Sequence, residues 1–139
     1  MGASIHAEIK CILLVDDNQA DNYLHKMVIK KMGIAQDIRT VHTGEEALEY
    51  LQQHDKTRYP EPNLIFLDIN MPGINGWEFL EEYKKLNFEF HEHVLVVMLS
   101  TSPNPEDREK AQQNRYITDF LNKPLTSSRL ESILSKHFS

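Results

Sequence analysis

Three short runs of consecutive apolar residues constrain this chain more than anything else in it: Cys11-Ile-Leu-Leu-Val15, Leu64-Ile-Phe-Leu67 and Val94-Leu-Val-Val-Met-Leu99. None of them alternates with polar residues. A strand with one face in water alternates; a strand covered on both faces reads as an unbroken apolar run. The runs therefore predict central strands of a sheet with helices on both sides. All are far shorter than the roughly 20 apolar residues a membrane-spanning helix needs. Ile38 to Val41 and Asp119 to Leu121 are weaker strand candidates, suited to the sheet edges.

Helical segments separate these runs. Leu24, Met27, Val28 and Met32 recur at helical spacing, and Gly33 follows as a C-terminal cap. These residues are expected to form the inward stripe of the first helix. Thr43-Gly-Glu-Glu46 has the spacing of a capping box, and Ala47, Leu48 and Leu51 give the helix behind it an apolar face. Gly76 opens a third helix with Phe79, Leu80 and Tyr83 inward. Asn104-Pro105 reads as a cap and first residue of a polar fourth helix. Thr126 caps a fifth, with Leu130, Ile133, Leu134 and Phe138 on one side. The order is β-α repeated five times, which predicts an α/β fold: a parallel sheet with right-handed crossovers and helices on both faces. No repeat or second domain is visible. The longest irregular stretch runs from Asp55 to Asn63.

Composition narrows the functional classes. The 139 residues suit one domain, and 40% hydrophobic residues suffice for a core. The net charge of −6 disfavours broad contact with nucleic-acid phosphates, and no basic amphipathic stretch suits an anionic membrane. The lone cysteine, Cys11, excludes an internal disulfide and any zinc site with more than one Cys ligand. It lies in an apolar run and reads as a buried, inert thiol. The N-terminal MGASIHAEIK lacks a signal-peptide core and reads as an extension (residues 1–9) containing vector-derived residues. The expected location is cytoplasmic. His91 and His93 have no third ligand near in sequence, so no transition-metal site is assigned to them.

In open α/β sheets, ligands bind beyond the carboxyl ends of the strands. The residues there are Asp16-Asp17 after the first strand, Asp68 after the third, Ser100-Thr101-Ser102 after the fourth and Asn122-Lys123-Pro124 after the fifth. Each has a structural reading of its own: a solvated turn, a cap, the start of a loop, a helix boundary set by proline. Their joint placement on one rim points to chemistry. Two carboxylates ~4 Å apart repel by about 4 kcal/mol at an effective dielectric of 20. A third requires a cation or a raised pKa. A hard, oxygen-seeking ion such as Mg²⁺ fits these ligands, and a lysine supplies a point charge for an anion. The set describes phosphoryl transfer to a carboxylate nucleophile.

Leu14-Val-Asp-Asp17, Leu67-Asp-Ile-Asn-Met-Pro-Gly73 with Gly76, Leu99-Ser100 and Phe120-Leu-Asn-Lys-Pro124 resemble the motifs of a bacterial two-component response-regulator receiver domain of the chemotaxis-regulator type. The resemblance spans residues 10–138. It implies a doubly wound, flavodoxin-like five-stranded sheet of order 2-1-3-4-5. It implies Asp68 as phospho-acceptor, and Asp16, Asp17, Asp68 and the backbone carbonyl of Asn70 as ligands of Mg²⁺, with Mn²⁺ as a substitute. It implies Lys123 as the phosphoryl contact, Ser100 as the switch hydroxyl and Phe120 as the aromatic switch residue. The sequence departs from the commonest pattern at Thr101, where a small residue is usual, at Phe120, where tyrosine is common, and in the longer stretches Asp55 to Asn63 and Asn87 to His93. Leu99-Ser-Thr-Ser102 and Gly76-Trp-Glu-Phe79 resemble a subgroup of small regulators, some paired with phytochrome-type kinases.

The function this implies is a stand-alone regulator, not an enzyme beyond self-phosphorylation and self-dephosphorylation. It would take a phosphoryl group from a sensor histidine kinase or histidine phosphotransfer protein and signal to a downstream protein by a conformational switch. Neither nucleic acid nor membrane is a partner, and the state is a monomer or a phosphorylation-dependent dimer. The fourth helix, fifth strand and fifth helix would offer Arg108, Gln112, Phe120 and Arg129 to partners. Alternatives are a phosphorelay intermediate, a pseudo-receiver, or a small Mg²⁺-dependent aspartyl phosphatase. The last usually carries a second carboxylate two residues after the nucleophile, where this chain has Asn70.

Overall fold

The computed structural model describes residues 9–53, 55–86, 94–101 and 104–137. Among the described residues ten elements alternate strictly: β1 (Cys11–Val15), α1 (Gln19–Met32), β2 (Asp37–Val41), α2 (Gly44–Leu51), β3 (Leu64–Asp68), α3 (Gly76–Tyr83), β4 (Leu95–Ser100), α4 (Pro105–Gln113), β5 (Asp119–Asn122) and α5 (Ser127–His137). The strands form one parallel sheet in the order β2-β1-β3-β4-β5. The three apolar runs occupy its centre. Every residue of β1 and β3 is buried, while β2 and β5, at the edges, are half-buried. The expectations Asn87 to His93, the pair His91 and His93, Ser102 and Phe138 fall outside the described residues.

Alternate strand residues feed two cores. Leu13, Val15, Ile65, Leu67, Val96 and Met98 meet Phe79, Leu80 and Tyr83 of α3 on one side. Ile12, Leu14, Leu64, Phe66, Val97 and Leu99 meet Ile29 of α1 and Leu130, Ile133 and Leu134 of α5 on the other. Period-two side chains on a doubly covered sheet require this division.

Helix α1 corrects the sequence expectation. Leu24 and Met27 are 56% and 47% exposed, Tyr23 is 63% exposed, and Val28 and Met32 are only partly buried. The helix instead buries Asn22, His25 and Ile29. Its rotation is set by polar partners at its site end. The Asn22 amide donates to the carbonyls of Asp16 (2.9 Å) and Val41 (3.3 Å), and His25 Nε2 accepts the Leu125 N–H (3.3 Å). A buried backbone group left without a partner costs about 1–3 kcal/mol. Satisfying these groups outweighs burying two flexible apolar side chains.

The capping expectations hold with one adjustment. Thr43 accepts the Glu46 N–H, but the Glu46 carboxylate receives the N–H of His42 rather than that of Thr43. The complete capping box is Asn75 with Glu78, at the start of α3. Gly33 ends α1 at φ 63°, in the left-handed region that glycine adopts without strain. Asn104 and Pro105 open α4, and the Thr126 hydroxyl accepts the Arg129 N–H in α5. Cys11 is buried against the Tyr50 hydroxyl, and burial pushes its thiol up to about 11, which keeps it protonated and inert.

Candidate functional site

The site is assembled by parallel register. Val15 pairs with Leu67, so Asp16 leaves β1 beside Asp68, the last residue of β3. Asp68 pairs with Leu99, which sets Ser100 one step beyond, and Ser100 pairs with Asn122, just before Lys123. The Lys123 N–H donates to the Ser100 carbonyl at 2.7 Å. Four strands that share no local sequence thus deliver their last residues to one rim.

Asp16, Asp17 and Asp68 each present a carboxylate oxygen within 4.8 Å of the others. Asp16 and Asp68 are buried, and Asp17 is exposed. Both Asp16 oxygens are engaged: one accepts the Asn18 N–H at 2.9 Å and the other accepts Lys123 Nζ at 2.6 Å. The Lys123 ammonium, with its side chain 9% exposed, also reaches Asp21 at 2.9 Å and Asp68 at 3.3 Å. Ser100 is buried, and Thr101 beside it is exposed. Asn70 is exposed two residues beyond Asp68.

Titration follows this geometry. Burial raises the Asp68 carboxyl, helped by the negative charge of Asp16 and opposed by Lys123, and the balance leaves it at about 6. Burial by itself would lower Lys123. The bonds from its ammonium to Asp16 and Asp21, and the charge of Asp68, outweigh that and hold it above the ordinary lysine range. Burial and the neighbouring lysine charge lower His25, against Asp16 and Asp21.

The loop after Asp68 is fitted closely. Gly73 takes φ 74°, and Met71 tucks into the core. A Cβ on Gly76 would stand 2.8 Å from the Asp68 carbonyl and 2.9 Å from the Ile69 Cα, so only glycine lets α3 start this close to β3. Phe120 is buried, with the Arg108 guanidinium 5.2 Å from its ring centre. Trp77 packs against the core at the start of α3, with Lys110 Nζ 4.7 Å from its ring centre.

Asp16, Asp17, Asp68, Asn70, Ser100 and Lys123 lie on or beside this rim, whereas Phe120 is buried within β5 against Arg108 of α4. Two participants were missed. Asp21 and His25 sit one turn apart on α1, and both touch the segment after β5. The only sequence signal was their four-residue spacing just after the acidic pair, which shares one helix face.

Three buried or adjoining carboxylates, all oxygen donors, are what a hard divalent cation requires. Burial and the neighbouring charge of Asp16 raise the Asp68 pKa, and Lys123 offsets this only in part. The residues present fit such an ion.

Comparison with known proteins agrees with this architecture. The family model described as "Response regulator receiver domain" matches residues 12–135. "Response regulator Rcp1" of Synechocystis sp. is 39% identical over 99 residues, which cover 70% of this chain and 66% of that protein. A two-component response regulator structure from Cytophaga hutchinsonii superposes with a TM-score of 0.84 at 32% identity, covering 92% of this chain and 96% of that one. The structure titled "Phosphorylated Cyanobacterial Phytochrome Response Regulator RcpA" superposes at 0.72 with 32% identity, covering 91% and 89%.

Proposed function

The chain belongs to the response regulator receiver family, whose general function is phosphoryl acceptance on an aspartate, and from that premise we propose that Asp68 is the acceptor here. The observation that carries this is the shared ammonium: Lys123 contacts Asp68 at 3.3 Å on a rim that also holds Asp16, Asp17 and Ser100. The receiver unit is taken as residues 10–138.

Receiver domains take their phosphoryl group from histidine kinases and are not enzymes in the usual sense. In the proposed reaction an ionised Asp68 oxygen attacks phosphorus and forms a new P–O bond. The bond to the donor breaks, P–N in phosphohistidine or P–O in an acyl phosphate, and its electron pair leaves with the donor. The Lys123 ammonium offers hydrogen bonds to a phosphoryl oxygen, and the Ser100 hydroxyl is the switch group turned toward it. Asp16, Asp17, Asp68 and the Asn70 carbonyl would hold Mg²⁺, or Mn²⁺ in its place. When bound, the ion supplies positive charge against the transferring phosphoryl group.

Phosphorylation then biases an equilibrium between two arrangements of Ser100 and Phe120. The Arg108–Phe120 surface is the part of the face of α4, β5 and α5 where that bias would reach a downstream protein. The donor would be a sensor histidine kinase or a phosphotransfer protein, in the cytoplasm. No helix among the described residues is long and apolar enough to cross a membrane.

The test is intact-mass measurement after incubation with acetyl phosphate and Mg²⁺, beside Asp68→Asn and an EDTA control. One added phosphoryl group on the wild type, absent from both controls, is the expected result. A phosphoryl group on Asp68→Asn would overturn the assignment.

A further inference from the structure

An ammonium has three hydrogens to donate, and Lys123 meets three carboxylates: Asp16 at 2.6 Å, Asp21 at 2.9 Å and Asp68 at 3.3 Å. Two of these have other work. Asp16 and Asp68 belong to the oxygen cluster suited to a cation, and Asp68 is the proposed acceptor. Asp21 lies outside that cluster. One helical turn further on, His25 accepts the backbone N–H of Leu125, two residues beyond Lys123. His25 is buried and Asp21 is partly exposed. One face of α1 therefore grips the same short segment at two points, the lysine head and the backbone behind it.

The geometry points to Asp21 and His25 as positioning residues that hold the Lys123 ammonium over the Asp68 carboxylate during phosphoryl transfer. This rests on the reading of Asp68 as acceptor and Lys123 as phosphoryl contact. With the Asp16 and Asp68 oxygens engaged by a cation and by phosphorus, their hold on the ammonium would weaken. Asp21 undergoes no such change and keeps the lysine from swinging into solvent. His25 fixes the backbone from which the lysine extends. Neither residue touches the phosphoryl group.

Two readouts test this. The first needs no phosphorylation: pulse acetylation with acetic anhydride, followed by peptide mass spectrometry, with exposed Lys30 as internal reference. Asp21→Ala is expected to speed labelling of Lys123 relative to Lys30 by at least about fivefold, because the amine loses both a charge partner and its cover. Asp21→Asn, which keeps an acceptor oxygen, should fall between.

The second is the rate of phosphorylation by acetyl phosphate with Mg²⁺, resolved into a saturating rate and a half-saturating donor concentration. A bystander charge would alter only the latter, since removing a negative group draws the anionic donor in. A positioning role lowers the saturating rate, by about tenfold in Asp21→Ala. His25→Leu should lower it as well, and His25→Gln, which restores an acceptor for the Leu125 N–H, should recover most of the loss.

Unchanged Lys123 labelling in Asp21→Ala would overturn the inference. So would a saturating rate within about twofold of the wild type in Asp21→Ala. Failure of the wild type itself to gain mass would instead overturn the acceptor reading, and the inference with it.

Discussion

His25 and Leu125 stand 100 positions apart in the chain, and a 3.3 Å hydrogen bond from the Leu125 N–H to His25 Nε2 joins them. That bond fixes the tautomer: Nε2 must be bare, so the ring is neutral with its proton on Nδ1. It also makes the loop after β5 dependent on a helix that begins at residue 19.

Replacing His25 by Leu leaves that N–H buried without a partner and should cost about 1–3 kcal/mol in urea unfolding, while His25→Gln should cost less. The pH dependence follows from a folded pKa below the ordinary histidine value. The unfolded chain binds the proton more readily, so the His25 contribution is complete above about pH 6.5 and is lost as pH falls through the depressed folded value. An Asp68→Asn background removes the opposing contribution of the carboxyl. There, His25→Gln should flatten the acid side of the stability profile, and an unchanged slope would count against the assignment.

Asp68 acts with the opposite sign. Its folded pKa of about 6 lies above the unfolded value of 3.8. Its contribution is most favourable below 3.8 and is lost as pH rises through 6. Ionised Asp68 therefore burdens the metal-free protein at neutral pH. Asp68→Asn should be more stable than the wild type in EDTA at pH 7.5, by about 1–3 kcal/mol. The gap should close as pH approaches 4. Chemical denaturation at both pH values checks this, and a less stable variant at pH 7.5 would refute it.

Divalent metal should narrow or close that gap. At the proposed site Mg²⁺ would bind the folded carboxylates and not the unfolded chain, so at about a hundred times its Kd it would add about 2.7 kcal/mol. Thermal melts with and without Mg²⁺ should show a rise in Tm for the wild type and little for Asp17→Asn. The affinity, followed by Trp77 fluorescence, should strengthen as pH rises through 6, where Asp68 loses its proton. Equal stabilisation of Asp17→Asn would place the ion elsewhere.

Gly76→Ala tests the close approach of α3 to β3. The new methyl meets backbone on two sides, and backbone cannot swing away as a side-chain tip can. Overpacking of this kind costs about 1–3 kcal/mol. Because the nearest atom is the Asp68 carbonyl, phosphorylation should slow along with the loss of stability. An Ala variant with wild-type stability and rate would show that the start of α3 has room to spare.

The fold was legible because its signal is redundant. Each central strand announces itself by an unbroken apolar run, three of the helix starts by a cap, and the alternation of the two permits few topologies. The rim residues were legible because they follow strands directly. Helix α1 was misread because periodicity weighs only apolar residues. Leu24 and Met27 look like core, and Asn22 and His25 look like surface, until the backbone groups they must satisfy are known. Those groups belong to Val41 and Leu125, far along the chain. Asp21 escaped for the same reason: its partner is 102 residues away.

The long connection between α2 and β3 enters the sheet at the end remote from the acidic rim. It is moored there by its own polar contacts. The Asn63 side chain accepts the N–H groups of Lys10 and Cys11, and the Tyr50 hydroxyl donates to the Pro60 carbonyl. Its middle, Lys56 to Arg58, is exposed. For protein engineering this is a free port. A fluorescent reporter or an affinity handle spliced into that stretch would ride on the molecule at a distance from its acidic rim.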